Sequence, residues 1–306
     1  MMEKGRNSRI RRATINPSDD GLAVEDRVLR KKQEETPEDE EAMELLSHPD
    51  LLNRFLAFGY EAGHVGEEEN RQALYVILTG RKVLNYRMHA GVIGESGAGK
   101  SELCRFVLST MPQQEVLYLG GGVSKKALQF QKDLTGRLIF IDEANKLDDD
   151  TWALLREAMT KPEVQRMVTE RTESGIYGAR TYVAQCDRLV LVQAASRPIV
   201  DPANETRFFL LHPDTSPEQT EAILDVQAMR AEGRPPSSLK ADLGVWRRAQ
   251  ELLRPCHVEI PYATGLRQLF TSNAIRARRD FDRVLALVAA TACLHQYQRP
   301  TESEDD

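Results

Sequence analysis

The stretch GVIGESGAGKSEL at residues 91–103 has the residue types and the spacing of a phosphate-binding loop. The pattern G-x-x-x-x-G-K-[S/T] is complete at Gly94, Gly99, Lys100 and Ser101. In such a loop the backbone N–H groups face the α- and β-phosphates, the lysine reaches the β- and γ-phosphates, and the serine binds Mg²⁺. The residues expected to bind the nucleotide are Gly94, Glu95, Ser96, Gly97, Ala98, Gly99, Lys100, Ser101 and Glu102.

A phosphate-binding loop needs a strand before it and a helix after it. The apolar run at 90–93 supplies the strand, and residues 101–108 carry Leu103, Phe106 and Val107 at helical spacing. The sequence therefore predicts a nucleoside triphosphate site, with ATP and Mg²⁺ as the expected ligands.

Two carboxylates follow a second apolar run, in RLIFIDEANKL at residues 137–147. Ligand sites of parallel sheets lie at the carboxyl ends of the strands, where Asp142 and Glu143 are expected. Asp142 would hold Mg²⁺ through water, and Glu143 would polarise the attacking water. Together with Lys100, these residues predict a Mg²⁺-dependent ATP hydrolase.

The pattern of apolar runs in the sequence predicts a three-layer α/β fold around a parallel sheet, followed by a C-terminal helical lid. The strands are expected near residues 90–93, 115–119, 137–141, 188–193 and 207–211. A helix is expected at 149–159, and two β-rich runs then flank the turn-forming ESGIYG. The stretch GRPPSS at 233–238 cannot continue a helix and should form a loop between lid helices.

The composition predicts four parts along the chain. Residues 1–44 form an arm that is first basic and then acidic, and its lack of apolar periodicity predicts disorder or a wandering helix. The N-terminal helices and the ATPase core are expected at 45–214, the lid at 215–300 and an acidic tail at 301–306.

The overall charge and the hydropathy narrow the class of protein. The net charge of −6 argues against general nucleic-acid binding, although a local basic surface remains open. No apolar run approaches the roughly 18 residues of a membrane span, and no signal peptide is recognisable, so we expect a cytoplasmic protein without a membrane partner. The four cysteines are far apart and are expected to be buried rather than to bind a metal: Cys104, Cys186, Cys256 and Cys293.

The order of motifs resembles the pre-sensor-1 hairpin clade of AAA+ ATPases, in which a β-hairpin leads to a buried strand and a sensor. Minichromosome-maintenance helicases have this order, and QAASRP at 193–198 stands at the sensor position. HVGEEENRQALYVILTGRKV, DPANETRFFLLHPDTSPEQTEAI and IRARRDFDRVLALVAATACLHQYQRP are similar to the ATPase portion of bacterial mobile-element primase-helicase proteins. The resemblance covers residues 45 to 300. The resemblance implies an ATP-driven motor. It does not imply priming activity, because the chain has no zinc-finger cysteines and no room for a primase.

The resemblance also implies roles for single residues. Arg207 in TRFF stands where the clade has an arginine finger that reaches a neighbouring subunit's γ-phosphate; a surface ion pair is the alternative. Ser196, beside Arg197, replaces the usual Asn or Thr of sensor 1. Arg279, or next to it Arg278, stands at sensor 2; an arginine-rich surface patch is the alternative. A finger acting in trans implies a homo-oligomeric ring, with a hexamer expected.

Three surfaces are candidates for contacting DNA, and the basic arm at residues 1–16 is the weakest of them. The predicted hairpin carries Arg171, Tyr177 and Arg180, which suit backbone tracking and base stacking, and Lys125 and Lys126 are candidates for lining a pore. The alternative is that these residues are ordinary solvated positions of a hairpin and of a helix start. The hairpin favours a ring helicase or translocase in replication of a mobile element. The net acidity and the lack of a recognisable DNA-binding appendage favour the alternative, a remodeller or switch acting on a protein partner such as a nuclease.

Overall fold

The computed structural model describes residues 14–17, 36–119, 132–171, 177–197, 205–234, 239–271 and 274–299. At 14–17, 166–171, 177–180 and 239–242 it describes the backbone alone. Lys125, Lys126, the centre of the predicted turn at 172–176 and the tail at 301–306 lie outside the described residues.

A parallel sheet of five strands forms the centre of the fold. The described strands are β1 (Thr14–Pro17), β2 (Ala90–Ile93), β3 (Val116–Leu119), β4 (Leu138–Ile141), β5 (Glu163–Arg171), β6 (Tyr177–Gln185), β7 (Val190–Ala195), β8 (Phe209–Leu211) and β9 (Cys256–Glu259). The order in the sheet is β3-β4-β7-β2-β8, and β1 pairs separately with β9. Because β7 lies between β2 and β4, the carboxyl ends of these three strands meet at one edge.

Nine described helices of five residues or more surround the strands. They are α1 (Pro37–Ser47), α2 (Leu51–Glu61), α3 (Glu68–Thr79), α4 (Lys100–Ser109), α5 (Asp149–Thr160), α6 (Pro217–Ala231), α7 (Leu239–Leu252), α8 (Ala263–Arg267) and α9 (Ala277–Leu294). Side-chain caps fix several starts, since Asp148 accepts from the backbone of Thr151 and Ser216 from that of Gln219.

The buried side chains form two clusters, one on each face of the sheet. Leu138 and Phe140 of β4 point into the larger cluster, and Ile139 and Ile141 point into the smaller one beside α5. This alternation along the strand produces the predicted three layers of an α/β P-loop fold.

The larger cluster joins parts of the chain that the sequence predicted as separate. Trp246 of α7 packs against Phe55 of α2 and Tyr75 of α3, and the buried face of α9 belongs to the same cluster. The helices expected to form a lid at 215–300 thus share a core with the N-terminal helices. Binary patterning could not reveal this, because it shows that a helix has an apolar face but not which helix covers it.

The predicted boundary of the arm at residue 44 falls inside α1. Residues 37–44, which were expected to be disordered, therefore form the first part of this helix. Thr36 and Asp39 form a capping box that starts this helix at Pro37. Ala42, Leu45 and Leu46 are buried on its inner face. The acidic first turn interacts favourably with the helix N-terminus, which explains why a run of carboxylates can form a helix here.

The predicted strands agree in position with the observed ones, with small shifts at their ends. β7 continues to Ala195 because Ala194 and Ala195 pair with Val92 and Ile93. β5 and β6, on either side of the predicted turn, pair antiparallel with Arg171 opposite Tyr177.

The predicted burial of the cysteines agrees with the structure. All four are buried and unbridged. Within the described ranges, no group of three or more His, Cys, Asp or Glu side chains could hold a metal ion. Among the same residues, no helix is both long enough and apolar enough to cross a membrane.

Candidate functional site

The loop between β2 and α4 has the geometry of a backbone-lined cradle. The N–H of Gly94 donates to the carbonyl of Ala195 at 3.2 Å, which ties the start of the loop to β7. Gly97 and Gly99 have φ values of 88° and 78°, in the left-handed region that favours glycine. A Cβ at either glycine would meet nothing within 4 Å. The loop therefore presents backbone to open space at the N-terminus of α4, as anion binding requires.

Two cavities adjoin this loop, with volumes of about 630 Å³ and 450 Å³. Four loop residues line both cavities: Ser96, Gly97, Gly99 and Glu102. A single elongated ligand can therefore lie along the loop with its two ends in different cavities. A nucleoside triphosphate has this form.

The smaller cavity brings together five residues that the sequence predicted. Its lining includes Lys100, Ser101, Asp142, Glu143 and Ser196. They come from the carboxyl ends of β4 and β7 and from the first turn of α4, which are neighbours because β2, the strand before α4, lies next to β7 in the sheet. The predicted lysine, carboxylates and sensor serine are thus close in space although they are far apart in the chain.

The oxygen atoms of Ser101 and Asp142 in this cavity are suitable ligands for a magnesium ion. Ser101 Oγ donates to Asp142 Oδ1 at 2.7 Å, and Arg105 Nη2 lies 2.9 Å from Asp142 Oδ2. Mg²⁺ is a hard cation that keeps several waters and binds through one or two protein oxygens plus phosphates, so a hydroxyl beside a carboxylate is a suitable set. The ion would neutralise charge on the β- and γ-phosphates, with Ser101 as its direct ligand and Asp142 acting through water.

Glu143 has an unusual backbone conformation at the end of β4. Its φ of 57° and ψ of 48° lie in the left-handed region, which costs a non-glycine residue about 1 kcal/mol or more. Its carboxylate forms an ion pair with Lys146 at 2.5 Å, and both side chains line the smaller cavity. Lys146 was not predicted, since its role depends on the turn at Ala144–Lys146 that brings it back towards Glu143.

The larger cavity contains an aromatic platform. The ring of His64 stacks on Phe106 with 4.0 Å between centroids. Burial, and then the positive charges of Arg230 and Arg71, lower the pKa of His64 from 6.5 to about 4, so the ring is neutral at pH 7. Ile223 lines the same cavity from α6. A flat neutral ring and an aliphatic side chain suit the two faces of a nucleobase.

Residues 63–66 of this cavity are held by side chains from α3 and α6, and Arg71 of α3 donates to the carbonyl of His64 at 3.0 Å. Gln219 Nε2 donates to the carbonyl of Val65 at 2.8 Å, and Arg230 Nη2 donates to that of Gly63 at 3.2 Å. Gly66 has a φ of 66°, and a Cβ there would lie 1.8 Å from Gln219 Oε1. Glycine is therefore required both by the backbone conformation and by the close approach of α6.

The cavity at residues 63–66 was not predicted. Its two walls come from HVGEEENRQ and DTSPEQTEAI, two stretches that carry the family resemblance without a predicted role. The signal was present in both stretches, but nothing in their spacing shows that they meet across one cavity.

A protein-family model matches more than two thirds of the chain. The family described as "MTBMA_p00010 P-loop domain" matches residues 35–254, and this range contains the whole loop and both carboxylates at the end of β4. The chain belongs to this P-loop domain family. No curated protein matches the chain. The family and the geometry of the loop together identify a nucleotide-binding NTPase domain.

Other predicted residues of the P-loop domain lie away from the cavities. Arg207 precedes β8, which pairs with β2 through Phe209 opposite Ala90, so it lies near the amino ends of the strands and far from the loop. Arg279 donates to Thr206 Oγ1, and Arg278 is exposed. None of these three arginines is among the described residues that line either cavity.

The predicted DNA contacts of the P-loop domain are only partly described. The backbone places Arg171 opposite Tyr177, and Arg180 opposite Val168, in the β5–β6 pair. The side chains of these residues, and the whole of Lys125 and Lys126, lie outside what the structure describes.

Proposed function

We propose that this P-loop domain is a Mg²⁺-dependent ATP hydrolase of the AAA+ type that works as a ring motor on DNA. The observation that carries the hydrolase proposal is the smaller cavity, in which a lysine, a serine–aspartate pair and a second carboxylate surround the phosphate loop. Each has a defined task in phosphoryl transfer to water.

The residues of the smaller cavity divide these tasks. Lys100 places an ammonium charge on the β- and γ-phosphates, and the N–H groups at the start of α4 bind phosphate oxygens. Glu143 orients a water for attack on the γ-phosphorus, and the bond to the β–γ bridging oxygen breaks to give ADP and phosphate. Ser196 donates to the γ-phosphate or to the attacking water.

The larger cavity would hold the nucleoside. Stacking on His64, supported from behind by Phe106, and contact with Ile223 suit the adenine ring of ATP.

We propose that hydrolysis is completed by a second subunit. Arg207 is far from its own phosphate loop, so it would reach a nucleotide only on a neighbouring copy, as an arginine finger does in a homo-oligomeric ring. The resemblance to the pre-sensor-1 hairpin clade supports a hexamer, with β5–β6 as the hairpin and the helices from α6 onward as the lid.

Mixing two inactive variants tests the action in trans. Arg207→Ala should bind ATP but release little phosphate, and Lys100→Ala should fail to bind ATP. Mixed rings should recover part of the activity, because an intact Arg207 of one subunit can serve the intact loop of the other. No recovery in rings shown to be mixed, together with wild-type turnover that is independent of protein concentration, would contradict the proposal.

DNA is proposed as the substrate of the motor because the β5–β6 pair carries two arginines and a tyrosine towards the end that adjoins residues 172–176. A protein partner is the second candidate. Leu269 and Ile275 are 78% and 84% exposed, and exposed apolar side chains of this size occur at protein interfaces. The net charge of −6 also favours a partner other than a polyanion.

The rate of ATP hydrolysis with and without single-stranded DNA distinguishes the two candidates. For a DNA motor, stimulation should be strong at low salt and should fall steeply as salt rises, because phosphate contacts release counterions. Heparin at the same charge concentration serves as the control for a general polyanion effect. A rate that DNA does not change at any salt concentration would reject the DNA motor in favour of the protein remodeller.

A further inference from the structure

Three arginines near the start of α9 contact the short segment before β8. Arg276 Nη1 lies 3.1 Å from Glu205 Oε1. Arg279 donates to Thr206 Oγ1, and Arg283 donates to the backbone carbonyl of Phe208. The guanidinium of Arg283 also lies 4.7 Å from the centroid of the Phe209 ring.

These contacts follow from the spacing of the arginines along the helix. Positions 276, 279 and 283 are three and four residues apart, so they project from one face. Asp280, between them, forms ion pairs with Arg276 at 3.3 Å and with Arg283 at 3.1 Å. The arginines contact residues 205, 206 and 208, which are the residues on both sides of Arg207.

The far end of α9 is anchored in the larger core. Its residues from Ala286 to Leu294 include six buried positions in that cluster. The helix therefore connects the segment around Arg207 to the most densely packed part of the protein. The segment is also anchored by Phe208, whose fully buried side chain belongs to the smaller cluster, and the short strand β8 follows it at the edge of the sheet.

We propose that Arg276, Arg279 and Arg283 form a brace that positions Arg207 for action on the nucleotide of a neighbouring subunit. This inference rests on the proposed role of Arg207 in trans. The three arginines are positioning residues, because they contact the backbone and side chains around Arg207 and not the nucleotide. Arg279, which the resemblance placed at sensor 2, takes this role instead.

The test uses Arg276→Ala and Arg279→Ala, singly and together, in the full chain. Arg276 and Arg279 are both exposed, so removing either side chain leaves no cavity. We expect kcat to fall by about fivefold for each single variant, the upper end for loss of one exposed polar pair, and further for the double variant. The KM for ATP, the affinity for a fluorescent ATP analogue and the oligomeric state should not change, and the melting temperature should fall by only about 2 °C for each lost pair.

Two further variants serve as controls. Arg276→Lys keeps a cation within reach of Glu205 and should recover most of the rate. Arg54→Ala removes an exposed arginine of α2 whose side chain forms no hydrogen bond or ion pair with the described part of the chain, and it should behave as wild type.

Combining Arg276→Ala with Arg207→Ala separates a positioning role of Arg276 from a role in structural support. In Arg207→Ala, removal of Arg276 should cause no further loss of rate, because the brace acts only through Arg207. An equal further loss there, or a parallel fall in nucleotide affinity, would overturn the brace. Wild-type rates for the brace variants beside an inactive Arg207→Ala would reject the brace alone. A fully active Arg207→Ala would reject the trans finger itself and the brace with it.

Discussion

Acidification should destabilise the protein through two histidines, His89, which is buried, and His64, which is partly buried. His89, just before β2, accepts from the N–H of Leu191 at Nδ1 over 3.1 Å, and its Nε2 lies 3.3 Å from the carbonyl of Met159. The ring is therefore neutral with its proton on Nε2. Burial lowers the pKa of His89 from 6.5 to about 4, and the pKa of His64 is lowered to about 4 as well.

The sign of the effect follows from proton binding. Between pH 6.5 and 4 an unfolded histidine binds a proton and these folded histidines do not, so the free energy of unfolding falls as the pH falls. With a folded pKa of about 4 against 6.5, acidification from pH 7 to pH 5 removes about 2 kcal/mol for each histidine. The two together remove about 4 kcal/mol, a large share of the stability of an ordinary domain.

Urea denaturation at pH 7 and pH 5 measures this difference in wild type and in His89→Gln. A glutamine can accept from Leu191 and donate to Met159, but it cannot be protonated in this range. The variant should lose about half as much stability between the two pH values as wild type, about 2 kcal/mol instead of about 4. His64→Gln should give a similar reduction. The same loss in wild type and in His89→Gln would refute the reasoning for this residue.

Three further outcomes test the nucleotide site. Lys100→Ala should lose nucleotide binding without a change in melting temperature, because its ammonium acts on phosphate and is not part of the core; tight ATP binding would contradict the loop assignment. Glu143→Gln should bind ATP with near-normal affinity and hydrolyse it at least a hundredfold more slowly in a phosphate-release assay, since an amide cannot polarise water, and wild-type turnover would exclude this role. Gly66→Ala should weaken ATP binding about tenfold in a titration, because the new Cβ displaces Gln219. The control is Gly233→Ala, which has a φ of 73° and open space around it, so that substitution there causes backbone strain alone. Equal ATP affinities in the two variants would contradict the assignment of Gly66 and Gln219 to the wall of the nucleotide cavity.

The parts of the fold that depend on neighbours in sequence were predictable. The run from Ala90 to Ser101 specifies a strand, a left-handed turn at glycines and a helix start within a dozen residues, and each step has its own residue signal. Asp142 and Glu143 were placed correctly because an apolar run fixes where a buried strand ends. The convergence of these residues then followed from the rule that parallel sheets bind ligands at their carboxyl edge.

The parts that depend on distant contacts were not predictable. His64 and Arg230 meet on one cavity, although many elements lie between them in the chain. Arg279 was expected near the nucleotide because its residue type and helical spacing fit, but its actual neighbour is Thr206. Residue type limits what a side chain can bind, whereas packing of whole helices decides what lies within its reach.

The weak attachment of α6 has a consequence for the lifetime of a bound nucleotide. In this helix Gln219 is the one buried residue, and Ile223, Leu224 and Met229 remain 39%, 57% and 48% exposed. A helix with so little buried surface can swing outward at low cost while the loop stays fixed to β2 and β7. The nucleoside end would then be released often and recaptured often, whereas the phosphate end would decide when the molecule leaves. Loss of the γ-phosphate would thus shorten the residence time most, so that spent nucleotide departs before fresh ATP does.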